Sequence, residues 1–428
     1  MMEKYIGVLK ACGADAWEAV STKTKGWEFY FIGHRLDQNR AKNVEHVTLK
    51  VYKKAEDGSL GVASAEVAPT ETEESLRKIV GNLVYQASLV KNKPYLLNGP
   101  MPFTPLGTKP EPLGDSSKAF LETMAGIRET ETEYLNSYEI FTSQVERRLV
   151  NSEGVDVTET YPSSMLDVVV NARKDGHEIE LYRLYKLGAC DSEQLKQDIE
   201  ELMKFGKDRL SARPTPALGS VPAVFSTDAA LEIYNYLLDN LDASYVLRRM
   251  SSFALGKPIA ESIEGDRITL RSLRELPNSP SNFACDSEGA PIRDAELIRD
   301  SVPQRYVGSR MYAQYLGLED AFMVSNWSVS GGSKSAEEIR SGRFLEIVEF
   351  SDFQVDSVTG SIFGEIRLGY YHDGEGNVTP VTGGSLSGNM AENLGCMYMS
   401  REVRRYADAE IPCVTRLEKM TVSGVEQA

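Results

Sequence analysis

Side chains able to bind metals or attack substrates are scarce in this chain of 428 residues. There are four histidines (His34, His46, His177, His372) and five cysteines (Cys12, Cys190, Cys285, Cys396, Cys413). Zinc-dependent hydrolysis gathers imidazole, thiolate or carboxylate ligands at close spacing, so that the metal can lower the pKa of a bound water. No two histidines lie within five residues of each other, and no Cys-x-x-Cys pair occurs. His177-Glu178, the only His-Glu dipeptide, falls in a predicted strand without a second histidine and reads as a surface pair. His372 precedes an Asp-Gly hairpin tip and is expected to be solvated rather than catalytic. Asp286 and Glu288, followed by Gly289, supply two carboxylates in one turn, which is thin coordination for a hard cation. The stretch Gly383 to Gly388, rich in Gly and Ser ahead of a predicted helix, would suit an anion at a helix N-terminus, with architecture the preferred reading. Nucleophile-elbow, phosphate-loop and dinucleotide patterns are absent.

The elements that would position these groups divide the chain in two. In the first part, Trp27–Gly33, Val47–Lys53 and Leu60–Val67 read as strands separated by polar turns. Thr70 and Glu73 form a capping-box pair ahead of a helix whose Leu76, Ile79, Val80, Leu83, Ala87 and Val90 make an apolar stripe. Six prolines between Asn92 and Ser117 mark a long irregular connection. A helix over Ser116–Ile127, antiparallel strands through Tyr134–Leu187 and a helix from Ser192 to Phe205, stopped by Gly206, complete this part. Ser211 to Gly219, with two prolines and a glycine, is the expected boundary, giving domains 1–212 and 213–428. Beyond it come a strand at Val221–Phe225 and a helix capped by Thr227 that runs to about Leu241. Asn278–Pro303 is loop-rich, Ser335 and Glu338 cap a short helix, and Phe344–Phe350 is extended. Ser361–Tyr371 and Thr379–Thr382 form a hairpin around His372–Asn377, and a helix carrying Met390, Leu394 and Met397 follows.

Composition narrows the functional classes. Hydrophobic residues are 41% and charged residues 26% of the chain, an ordinary globular balance. No run approaches 18 apolar residues, so no membrane span is expected, and Met1-Met2-Glu3-Lys4-Tyr5 lacks the pattern of an export signal. Scattered, odd-numbered cysteines predict reduced thiols and a cytoplasmic protein. The net charge is −16, from 47 basic and 63 acidic residues. Basic runs go no further than pairs such as Arg248-Arg249 and Arg404-Arg405, so direct nucleic-acid binding is not expected.

Four segments carry a family resemblance. Phe353 to Leu394, FQVDSVTGSIFGEIRLGYYHDGEGNVTPVTGGSLSGNMAENL, is similar to the C-terminal domain of the TldD/PmbA family, bacterial and archaeal proteins once called modulators of DNA gyrase and regarded as peptidases or their partners. Cys285-Asp286-Ser287-Glu288-Gly289-Ala290-Pro291 resembles that family's Asp-x-Glu-Gly-x-Pro turn. Arg248 to Phe253 resembles its Arg-Arg-x-x-Ser-x-Phe segment, and Cys413 to Gly424, CVTRLEKMTVSG, its closing strand. The resemblance implies an α+β protein: an N-terminal domain of helices on an antiparallel sheet, then a sheet-rich TldD/PmbA-type domain.

The resemblance also implies a site, and what is missing from it. Active members carry His-Glu-x-x-x-His on the first helix of the C-terminal domain, with zinc held by the two imidazoles and by a cysteine near the C-terminus. Here the corresponding stretch, Tyr234 to Asp239, reads Tyr-Asn-x-x-x-Asp, and Cys413 falls near the third ligand position. Tyr234, Asn235, Asp239 and Cys413 are therefore candidates for a vestigial site, with no zinc or other cofactor expected. Leu231, Tyr234, Leu238 and Leu241 share a helical stripe, so Tyr234 also reads as a core residue, and for Cys413 a buried thiol is the preferred reading. The resemblance implies a metal-free PmbA (TldE) type: a homodimer, or a heterodimer with a zinc-bearing TldD-type sister, acting on flexible peptides. A stand-alone peptide- or ligand-binding pseudoenzyme, and a peptidase built on Asp239, Cys413 and a further ligand, are the alternatives.

Overall fold

The computed structural model describes residues 2–104, 106–107 and 109–425; of the six prolines in the irregular connection, Pro105 lies outside them. The first part opens with α1 (Met2–Ala11), absent from the sequence expectation, although Met2, Tyr5, Ile6 and Leu9 recur at helical spacing and are buried. Two long strands follow, β1 (Ala16–Ile32) and β2 (Arg35–Lys54), then β3 (Leu60–Val67), whose limits are those expected. Helices α2 (Glu73–Ser88) and α3 (Leu113–Ala125) precede β4 (Glu133–Asn151), β5 (Asp156–Lys174) and β6 (His177–Leu187). These strands form one antiparallel sheet in the order β3-β2-β1-β4-β5-β6.

Helix α2 is capped by Thr72, whose hydroxyl accepts from the Ser75 amide, and not by the Thr70–Glu73 pair. α4 (Ser192–Leu210) runs straight through Gly206. That glycine serves packing instead: a Cβ there would sit 3.0 Å from the Ala172 methyl on β5, so its absence lets helix and sheet approach closely. α4 and α3 cover the β4–β6 end of the sheet through Phe120, Leu166, Val168, Ile199 and Leu202, and the same core takes in Val348 and Leu368 from the second half. Each such fully buried side chain contributes roughly 1.5–3 kcal/mol.

The second half starts with β7 (Arg213–Pro214), β8 (Gly219–Ser220) and β9 (Ala223–Phe225), then α5 (Ala230–Asp239) and α6 (Ala243–Leu247). The Thr227 hydroxyl donates to the Val348 carbonyl rather than capping α5. Next come β10 (Leu270–Leu273), β11 (Ala295–Arg299), β12 (Val302–Pro303), α7 (Arg310–Tyr315), β13 (Asn326–Val329) and α8 (Ala336–Ile339). The Ser335–Glu338 capping box of α8 is present as expected. A long hairpin, β14 (Arg343–Val355) and β15 (Ser361–Asp373), leads to β16 (Val378–Thr382), β17 (Ser385–Asn389) and the single turn α9 (Met390–Asn393). Five short strands close the fold: β18 (Tyr398–Met399), β19 (Val403–Tyr406), β20 (Ala409–Pro412), β21 (Thr415–Leu417) and β22 (Met420–Ser423).

Two sheets result. One runs β12-β11-β10-β13-β20-β19, and the larger runs β18-β21-β9-β14-β15-β17-β22-β8, with β16 and β7 alongside. α5 lies in their common core, which includes Phe225, Ile233, Tyr234, Leu237, Leu345 and Leu386. The protein is thus α+β, an antiparallel sheet carrying helices joined to a sheet-rich half. No helix among the described residues is long and apolar enough to cross a membrane.

Candidate functional site

The residues expected at the vestigial site do not converge. Tyr234 is 0% exposed, and its phenol hydrogen-bonds the Thr415 hydroxyl at 2.7 Å on β21. Burial pushes that phenol well above its ordinary pKa, so it is a neutral core group. Asn235 is half-buried and hydrogen-bonds Glu232 within the helix. The Asp239 carboxylate accepts from the Ser357 hydroxyl at 2.6 Å and lines a cavity of about 240 Å³ with Asp242 and Asp408. Cys413 lines a different cavity, of about 320 Å³, with Ser226, Arg340, Glu346, Tyr370 and Arg404.

These donors do not fit zinc. Cys413 and Asp239 line separate cavities, and no histidine lines either, so the imidazole and thiolate set that zinc takes is not assembled. Among the described residues no group of three or more His, Cys, Asp or Glu side chains is placed to hold a metal ion. The histidines are dispersed: His34 pairs with Glu129, His46 with Glu66, and His177 is exposed. His372 departs from the solvated position expected of a hairpin tip. It sits inside β15, stacked on Phe344 with ring centroids 4.0 Å apart, and burial holds its imidazole below the ordinary value.

The other two singled-out motifs are architectural. Asp286 is buried, and its carboxylate accepts from the amides of Glu288 (2.9 Å), Ala290 (2.9 Å) and Met323 (3.0 Å). Glu288 accepts from the Arg310 amide at 2.6 Å, and Gly289 takes a φ of +83°, open to glycine at little strain. With their acceptors filled by backbone N–H groups, the two carboxylates fasten a turn. Arg147 on β4, paired with Glu159, donates to the Cys285 carbonyl, which ties this turn to the first sheet. The Gly383–Gly388 stretch does lead into a helix, the single turn α9 capped by Asn389, but it reaches it as a strand. Gly383 and Gly384, both at φ +78°, form a turn, and Ser385–Asn389 pairs as β17 between β15 and β22.

What sequence reasoning missed is a cleft above α4. It is lined by β6 (Arg183–Leu187), one face of α4, the start of α5 and the segment Arg404–Ala407, around a cavity of about 280 Å³. This cavity meets the one at Cys413, since Glu201, Phe205 and Arg404 line both. Its part-buried arginines are paired side chain to side chain. Arg183, 16% exposed, is clamped by Asp228 and Glu349; Arg404 donates to Asp198 at 2.6 Å and Glu201 at 3.3 Å. In the adjoining cavity Arg340 grips Glu346 through Nε and Nη2, and Ser226 donates to the same carboxylate at 2.5 Å. β6 ends the first sheet and β19 ends the six-stranded sheet of the second half. Among the described residues neither strand makes a backbone hydrogen bond on its outer edge. The cleft therefore offers two rows of unpaired amides and carbonyls to an extended chain.

This architecture is α+β with a sheet-rich second half. Residues 218–424 match the PmbA/TldA metallopeptidase C-terminal domain, so the second half of the chain is a TldD/PmbA-family domain. The chain's fold is similar to that of TldE from Thermococcus kodakarensis, with a TM-score of 0.79 at 18% identity over 99% of this chain and 100% of that one. A Thermotoga maritima protein described as a modulator of a DNA gyrase superposes with a TM-score of 0.78 at 16% identity, over 99% of each chain. One from Bacteroides thetaiotaomicron, described likewise, gives 0.78 at 16% over 99% and 98%. A search of curated proteins by sequence finds no match.

Proposed function

We propose that this chain is a non-catalytic TldD/PmbA-family protein that holds flexible peptide segments and completes the cleft of a peptidase whose zinc and general base come from a sister chain. The observation that carries this reading is the use made of α5. At the positions corresponding to the zinc motif, Tyr234 is fixed in the core by Thr415 and Asp239 accepts from Ser357, so both ends are bound into packing. The open edges of β6 and β19 support peptide holding, because strand addition satisfies main-chain groups without demanding a sequence. Unpaired cysteines suit a reducing compartment, and the net charge of −16 argues against a nucleic-acid partner.

The test is reconstitution. The purified chain is mixed with a family member carrying His-Glu-x-x-x-His, and the mixture is followed by light scattering on a sizing column and by cleavage of an unfolded peptide. The expected result is a one-to-one complex, with cleavage only when the sister is present. Zinc-dependent cleavage by this chain alone would overturn the proposal, and a homodimer that ignores every sister would replace it with a stand-alone peptide-binding protein.

A further inference from the structure

The floor of the cleft is more selective than its edges. Arg183 to Leu187 line the cavity as an unbroken run. Because strand side chains alternate between faces, such a run sets the strand's edge, and not one face alone, against the space. Arg404 to Ala407 do the same from the opposite side. Below them the wall is Leu195, Leu202 and Phe205 of α4, Leu231 of α5, Leu187 and Tyr406.

The arginines at the rim are held by carboxylates: Arg183 lies between Asp228 and Glu349, Arg404 between Asp198 and Glu201, and Arg405 pairs with Glu410, while among the described residues Lys186 makes no ion pair and the Arg404 Nε no hydrogen bond. A charged group entering here would lose its water against a wall made chiefly of apolar side chains, whereas an apolar group displaces water at no such cost. The volume, about 280 Å³, is close to the lower end of small-ligand pockets, about 300 Å³.

From this geometry we infer that the cavity is a specificity pocket for one bulky, uncharged apolar side chain, leucine- or phenylalanine-like, of a segment whose backbone lies along the β6 edge. The inference rests on the peptide-holding reading above: the edges bind any main chain, and the pocket supplies the choice among side chains.

Fluorescence anisotropy with short labelled peptides, serine and alanine apart from a single Phe, Leu, Ser or Asp, tests it. The Phe and Leu peptides are expected to bind at least about tenfold tighter than the Ser and Asp peptides. Leu231→Trp fills the pocket and should reduce that preference to about twofold or less. Leu231→Ala enlarges it and should shift the preference towards a Trp peptide, so the test survives if the tryptophan variant folds poorly, which thermal melts by circular dichroism reveal. Equal binding of all four peptides by the native chain overturns the pocket and leaves peptide holding intact. Binding of none overturns both.

Discussion

The Asp286 turn and the cleft above α4 are both crowded with charge, but the charge is used in opposite ways. At the turn, the carboxylates of Asp286 and Glu288 accept from backbone amides, and the turn itself is tightly packed: a Cβ on Gly289 would meet the Val155 side chain at 2.9 Å. In the cleft, arginines and carboxylates satisfy one another across side chains and leave an empty volume between them. Saturation by backbone marks a joint of the architecture. Mutual saturation around a void marks a place where something else can bind. Both regions carry acid side chains that a reading of residue types alone would offer as sites.

Mutations sharpen the contrast. The largest effect is expected at the turn: Asp286→Ala strands three amides and should cost about 3 kcal/mol in chemical denaturation. A loss below about 1 kcal/mol would mean that the turn is not the joint described. Gly289→Ala, forced to keep φ at +83° against Val155, should cost about 2 kcal/mol. The corresponding cost in the cleft is smaller and depends on pH. Burial, opposed by Arg183, moves the Glu349 carboxyl from its ordinary 4.5 up to about 6. A carboxyl raised in the folded state binds its proton more tightly there than in the unfolded chain. Its contribution therefore grows as pH falls from about 6 towards 4.5 and is lost as pH rises through 6. Relative to Glu349→Gln, the native chain should gain about 1 kcal/mol between about pH 7 and about pH 5. A flat difference would show that the Arg183 clamp holds Glu349 charged throughout.

Regular elements with a clean period were legible in the sequence. β3 over Leu60–Val67 and the Ser335–Glu338 cap of α8 stand where alternation and capping chemistry place them. Local signals misled where tertiary contacts decide. Gly206 looks like a helix stop, but it is the residue that admits Ala172. Gly383–Gly388 does approach a helix, but Ser385–Asn389 is first held extended by ladders on both sides, and the helix α9 lasts only one turn. The absence of a zinc motif could be read from four scattered histidines. The cleft could not, because Arg183, Asp228, Glu349 and Arg404 come from segments far apart in the chain and meet only through the packing of α4 between the two halves.

The central claim, that the family's metal chemistry has been given up here, is tested most directly by elemental analysis of protein purified without chelators, comparing the native chain with Cys413→Ala. The account predicts near-zero zinc in both, since Cys413 and Asp239 line separate cavities and Tyr234 is locked in the core. About one metal per chain, lost on substitution of Cys413, would contradict it and would mean that a new ligand set has replaced the missing histidines.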